Sequence, residues 1–117
     1  MQKTKSDQID PKAIVVYAAN AFDSFLSDFA SHKNVSLTGK IGIIQKRDAL
    51  SSFLSKKHRG MIEYIGQVRN AADHGADANE GNQTWNISKE TAILYPSVVA
   101  ITINDIYLRD NNGTIEV

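Results

Sequence analysis

Residues 10–32 read DPKAIVVYAANAFDSFLSDFASH, and this stretch decides the fold. Asp10 is a residue type that caps free helical N–H groups, and Pro11 suits the first helical position, where its missing N–H has no partner anyway. Ile14, Ala18, Phe22, Phe25 and Phe29 then follow at steps of 4, 4, 3 and 4. That spacing puts one apolar stripe on a helix of about 20 residues, ending near His32 to Asn34. A helix with a single apolar face needs other elements to cover that face, so the rest of the chain is read for partners.

Working outward, Gly39 and Gly42 break the next stretch. "TGKIG" lacks the second half of a phosphate-loop pattern and reads as a turn into a helix. Ile43, Leu50 and Leu54, with Phe53 beside them, predict a second helix over roughly 41–56, closed by a basic turn, Lys56-Lys57-His58-Arg59-Gly60. Met61, Ile65, Val68 and Ala72 predict a third helix over about 60–74, stopped by Gly75. Residues 75–87 read as a loop pinned by Trp85. Asp77-x-Asn79 starts like a calcium loop, but Gly81 and Ser88 fall where ligands are needed. Ser88 caps a last helix carrying Glu90 in its first turn and Ala92, Tyr95, Val99, Ile103 and Ile106 on its stripe. Pro96 should kink it, and the β-branched run Val98 to Ile103 leaves a strand as the alternative. The expected fold class is all-α: an antiparallel four-helix bundle spanning 11–110, with polar tails at 1–10 and 111–117.

At 117 residues the chain suits one domain, since two would each have fewer than 60 residues. Apolar residues at 42% and charged residues at 22% are ordinary for a globular protein. The lack of Cys excludes disulfides, thiolate metal sites and a Cys nucleophile. The three His show no metal-ligand spacing, so no metal or other cofactor is expected. No uninterrupted apolar run approaches the roughly 18 residues of a membrane span, and residues 1–10 lack the apolar core of a signal peptide, so a cytoplasmic protein without membrane contact is expected.

The formal net charge of zero conceals a gradient. Residues 1–32 carry three bases and four acids, 33–59 carry seven bases and one acid, and 60–117 carry three bases and eight acids. Lys46, Arg47, Lys56, Lys57, His58 and Arg59 are therefore candidates for holding a polyanion such as RNA. The bland alternative is a solvated basic face answered by the acidic third of the same fold.

Arg69-Asn70-Ala71-Ala72-Asp73-His74-Gly75 carries the chemistry. Structurally, Arg69 and Asp73 form an i,i+4 ion pair contributing roughly 0.3–0.5 kcal/mol, and His74 and Gly75 close the helix. Functionally, an imidazole near unpaired carbonyls gains and loses a proton around neutral pH, and a guanidinium offers a fork of donors to phosphate oxygens. Metal-free RNA cleavage needs both. Arg69 and His74 lie about 140° apart on a straight helix, so one phosphate meets both only if the helix end unwinds or a second subunit completes the site.

The string VRNAADHG at 68–75, near the end of a bundle helix, followed by WNISKETA at 85–92 opening the last helix, resembles the HEPN superfamily, whose motif is R-x4–6-H. It is similar in particular to the abortive-infection C-terminal family. The resemblance covers roughly residues 11–110. It implies a helical homodimer with the Arg and His of both copies in one cleft, and metal-independent endoribonuclease activity in phage defence or toxin–antitoxin systems. On the matching positions it implies phosphate binding by Arg69, acid–base work by His74, and orientation of the His or contact with RNA by Asn70. An antitoxin or a fused N-terminal domain is the further partner it implies. Other HEPN domains are inactive dimerisation or nucleic-acid-binding modules, so that alternative stays open.

Overall fold

The computed structural model describes residues 10–74, 79–80, 83–84 and 87–112. Among the described residues the fold is built from four α-helices: α1 (Pro11–His32), α2 (Gly42–Ala49), α3 (Lys56–His74) and α4 (Lys89–Asn112). A 3-10 turn, Ser51–Phe53, follows α2. Between α3 and α4 a two-residue antiparallel ladder pairs Asn79 with Thr84 and Glu80 with Gln83. Trp85 and Gly75 lie outside the described residues, as do residues 1–9 and 113–117 of the expected tails at 1–10 and 111–117; Asp10 instead caps α1, and Asn111 and Asn112 belong to α4.

The ends of α1 follow the chemistry of its sequence. The Asp10 carboxylate accepts the Lys12 N–H at 3.0 Å, and Pro11 occupies the first turn. At the other end, Asn34 adopts a left-handed φ of 60°. The Val35 N–H then reaches the Ala30 carbonyl at 2.8 Å and the Asn34 N–H reaches that of Ser31 at 3.1 Å. Those two bonds satisfy carbonyls that the helix leaves open and turn the chain back. Gly39 and Gly42, at φ 79° and 87°, supply the further bends that lead into α2.

The boundary between α2 and α3 differs from the expectation. The predicted single helix over 41–56 is a short helix and a 3-10 turn, and Lys56 to Arg59 open α3 rather than close α2. The cause is Ser55, whose Oγ accepts the His58 N–H at 3.1 Å while its carbonyl accepts the Arg59 N–H at 2.9 Å. A hydroxyl three residues before a helical N–H is a start signal, and here it outweighs the unfavourable placement of cations at a helix N-terminus.

The core is one cluster. Val15, Ala19, Phe22, Leu26 and Ala30 from α1 meet Ile62, Ile65 and Ala72 from α3, Ala92, Tyr95, Val99 and Ile106 from α4, and Ile43, Leu50 and Leu54 from the α2 region. Ile14 and Phe25, expected on the stripe, flank it half-buried, and Phe25 stacks on Phe29 with ring centroids 5.8 Å apart. Tyr95 is fully buried with its Oη donating to the Ile65 carbonyl at 2.7 Å. Burial pushes the phenol far above its ordinary range, so Tyr95 stays a neutral donor.

Contacts fix the directions of the long helices. Lys33 at the end of α1 pairs with Asp110 at the end of α4, while Ala13 and Tyr17 share a groove with Pro96 and Val99. Helices α1 and α4 therefore run the same way. Lys57 early in α3 pairs with Asp105 late in α4 at 3.4 Å, so α3 runs against α4. A strictly alternating bundle does not form, because residues 33–41 carry the chain back toward the middle of α3 before α2 begins. Ile44 of α2 sits over Gly66, where an added Cβ would lie 2.6 Å from its Cδ1. Gly66→Leu should cost about 2 kcal/mol or more by forcing α2 off α3, read as a lowered urea midpoint.

Helix α4 runs unbroken through Pro96, and its start is capped by Ser88 Oγ, which accepts the Thr91 N–H at 3.0 Å. Among the described residues it is the one helix long and apolar enough to cross a membrane by length and composition. No single uninterrupted apolar run marks it, because its few polar residues are spread along the helix.

Candidate functional site

The last two turns of α3 carry Arg69, Asn70, Asp73 and His74. Val68 and Ala72 anchor these turns by packing into the core, which leaves Asn70 exposed and Arg69 half-buried at the stripe edge. The Arg69 guanidinium pairs with the Asp73 carboxylate one turn on. Their side chains are 28% and 36% exposed, so water reaches the pair and its net contribution is small. Tyr95 of α4 packs against this part of α3, close enough for the positive charge of Arg69 to favour its phenolate, against the larger effect of burial. His74 is the final residue of α3, and its side chain lies outside the described residues. Arg69 and Asn70 therefore lie in the closing turns of α3, whose last residue is His74, and Arg69 already holds a carboxylate.

A shallow groove of about 300 Å³ opens beside this end, lined by Tyr64, Gln67, Val68 and Ala71 of α3 and by Ile87, Ser88 and Thr91 at the start of α4. Reading from sequence missed Tyr64 and Gln67. Their positions one and two turns ahead of Ala71 were the available signal.

The six basic candidates are not gathered on one open face. Lys46 donates to Asp23 at 2.7 Å and to Ser27 at 3.4 Å, fastening α2 to α1. Arg47 binds Asp48 at 2.8 Å and Glu63 at 2.9 Å. Burial works against its charge, but those two carboxylates more than compensate and raise its pKa above the ordinary arginine value. Arg59 donates to the Leu54 carbonyl at 2.8 Å, tying down the chain just before α3. Lys57 pairs with Asp105 of α4. His58, expected in a solvated basic turn, is 2% exposed because the capped start of α3 turns it into the core. Lys56 is exposed. Apart from Asp48 in α2 itself, the acids that answer this segment come from α1, α3 and α4.

Among the described residues no group of three or more His, Cys, Asp or Glu is placed to hold a metal ion. The fold and this helix end define an all-α, four-helix domain with an Arg-Asn-x-x-x-His terminus on its third helix. Beyond that class, no family model matches the chain, and neither a curated protein nor a solved structure is significantly similar to it.

Proposed function

We propose that the chain is a metal-independent endoribonuclease of the HEPN type, acting in the cytoplasm in phage defence, abortive infection or a toxin–antitoxin pair. The observation that carries this reading is the placement of Arg69, Asn70 and His74 in the closing turns of one helix, with Arg69 and Asn70 reachable from solvent. In the proposed reaction a ribose 2′-oxygen attacks the adjacent phosphorus and the bond to the 5′-oxygen breaks. His74 moves the proton: it either takes it from the 2′-hydroxyl or gives one to the departing 5′-oxygen. Arg69 exchanges Asp73 for the phosphate and holds the charge that builds on its oxygens. A second copy supplies the complementary Arg and His, and Asn70 orients the imidazole or the RNA. RNA is drawn in by the cations of 46–59, chiefly the exposed Lys56. A bend of α4 at Pro96 belongs to the same proposal, because proline lacks an N–H and crowds the Ala92 carbonyl one turn earlier.

The test uses the purified chain, single-stranded RNA and excess EDTA. Cleavage leaving 2′,3′-cyclic phosphate ends is expected, and intact RNA would reject the proposal.

One observation favours a second reading, a non-catalytic dimerisation or RNA-binding module. Arg69 and most cations of the basic segment are already matched by carboxylates of the same chain. In that reading 69–74 is a helix end held by an ion pair, and the same assay gives no cleavage products.

A further inference from the structure

From Thr91 to Leu108 the only charged residue of α4 is Asp105, which is paired with Lys57. The buried face of this stretch is Ala92, Tyr95, Val99, Thr102 and Ile106. Its opposite face is also largely apolar: Ile93, Leu94, Ile101, Tyr107 and Leu108 are between 40% and 62% exposed. A helix apolar on both faces is one that is covered on both.

The exposed residues follow a repeat of seven. Ser97 and Asn104 form a central polar row, with Glu90 before them and Asn111 after them. Ile93, Ala100 and Tyr107 run along one side, and Leu94, Ile101 and Leu108 along the other. A seven-residue repeat on an exposed face is the pattern that seats one helix along another.

We infer that this face of α4 is the seam of a two-fold homodimer in which α4 packs antiparallel on α4 of a second copy, centred between Ala100 and Ile101. An antiparallel two-fold brings each row onto its own copy with heights reversed. Ser97 then meets Asn104 of the other copy twice, hydroxyl to amide. Ile93 meets Tyr107, Leu94 meets Leu108, and Ala100 and Ile101 meet themselves on the axis. The small Ala100 lets the helices approach closely. The apolar rows thus lie on apolar rows and the polar row on the polar row.

The end residues choose the direction. Glu90 and Asn111 both extend the polar row. In the antiparallel arrangement they face each other, whereas a parallel seam would set Glu90 against its own copy and align the two helix dipoles. The area is adequate. A helix of 24 residues is about 36 Å long, and with the bordering α1 the face is about 20 Å wide, near the roughly 800 Å² per partner of stable complexes. That border is a groove of about 640 Å³ between α1 and α4, with Tyr17 83% exposed at its lip.

The seam stands apart from the nuclease proposal. Arg69 lies near Tyr95, so the two copies carry it at opposite ends of the seam, and a shared Arg–His cleft would require another contact between copies. Loss of RNA cleavage would leave the seam untouched, and loss of the seam would leave the nuclease proposal untouched.

The test uses sedimentation and oxidative cross-linking, for which the absence of Cys in the chain is convenient. The wild type at about 100 µM should sediment near twice its 12.9 kDa mass. Ile101→Lys, which puts two ammonium groups face to face on the axis, should sediment as a monomer with unchanged circular dichroism, since Ile101 is exposed. Ala100→Cys should cross-link to itself. Asn104→Cys should not, because its copies lie about 10 Å apart along the seam, beyond disulfide reach. Mixed Ser97→Cys and Asn104→Cys should cross-link as a heterodimer. A monomeric wild type, a dimer that survives Ile101→Lys, or self-linking of Asn104→Cys would each overturn the inference. So would flotation of the wild type with neutral phospholipid vesicles that Ile101→Lys abolishes.

Discussion

Arg69→Ala should lower RNA cleavage about 10²–10³-fold and leave the helical circular-dichroism signal unchanged. The loss is of the size seen when one donor to a developing oxyanion is removed. The fold should survive because Arg69 is half-buried and its partner Asp73 is itself 36% exposed, so the released carboxylate is solvated at once. His74→Ala should lower cleavage about 10²–10⁴-fold, the usual contribution of a positioned acid or base. The two losses should not add, since both groups act on the same phosphate. Arg69→Lys separates positioning from charge. Lysine keeps the positive charge but lacks the planar fork, so a partial recovery points to charge and none points to two-oxygen binding. Equal cleavage by wild type and both alanine variants would assign the activity to a contaminant.

Phe22→Ala should destabilise the domain by about 3–5 kcal/mol, the range for emptying an aromatic site that cannot collapse. Phe22 is fully buried where α1 meets the core contributed by α3 and α4, and its ring lies 5.7 Å from that of Phe25. Helical neighbours hold the walls apart, so the cavity stays largely open. Small domains are stable by about 5–15 kcal/mol, so this variant should unfold near ambient temperature or be recovered poorly. Phe22→Leu keeps most of the volume and should cost under about 2 kcal/mol. Thermal or urea unfolding of the two variants beside wild type is the measurement, and a Phe22→Ala midpoint equal to wild type would remove Phe22 from the core.

Much of this fold is legible in the sequence where local signals agree. For α1, Asp10-Pro11, a stripe of large apolar residues and Asn34 at the turn all point to the same helix. The buried line lies a residue away from the expected stripe in places, since Val15 and Leu26 are buried more deeply than Ile14 and Phe25. A helix apolar over a wide arc does not say which residue lies at its centre. The start of α3 departs from the expectation because four consecutive basic residues look like a helix end, whereas Ser55 opens the next helix. The two-sided character of α4 was hidden for a related reason. With both faces apolar, the 3.6-residue period that marks a buried face is superimposed on a seven-residue repeat, and the Pro96 signal cuts across both.

The candidate site was legible only as a string. Arg69, Asn70 and His74 are found from their order, and the Arg69–Asp73 pair follows from helical spacing. The fate of the basic segment was not readable, because charge counting sees Lys46, Arg47 and Lys57 but not that Asp23, Glu63 and Asp105 arrive from three other places in the chain. His58 shows the same limit: its neighbours suggest solvent, while the capped helix start carries it into the core.

The most direct measurement compares two oligonucleotides of one sequence in EDTA, one RNA and one with every 2′-hydroxyl replaced by hydrogen, each incubated with the wild-type chain. The account predicts that the first is cut and the second is not, since the attacking oxygen is the one removed. Cutting of both, or of neither, would contradict a guanidinium–imidazole nuclease at the end of α3.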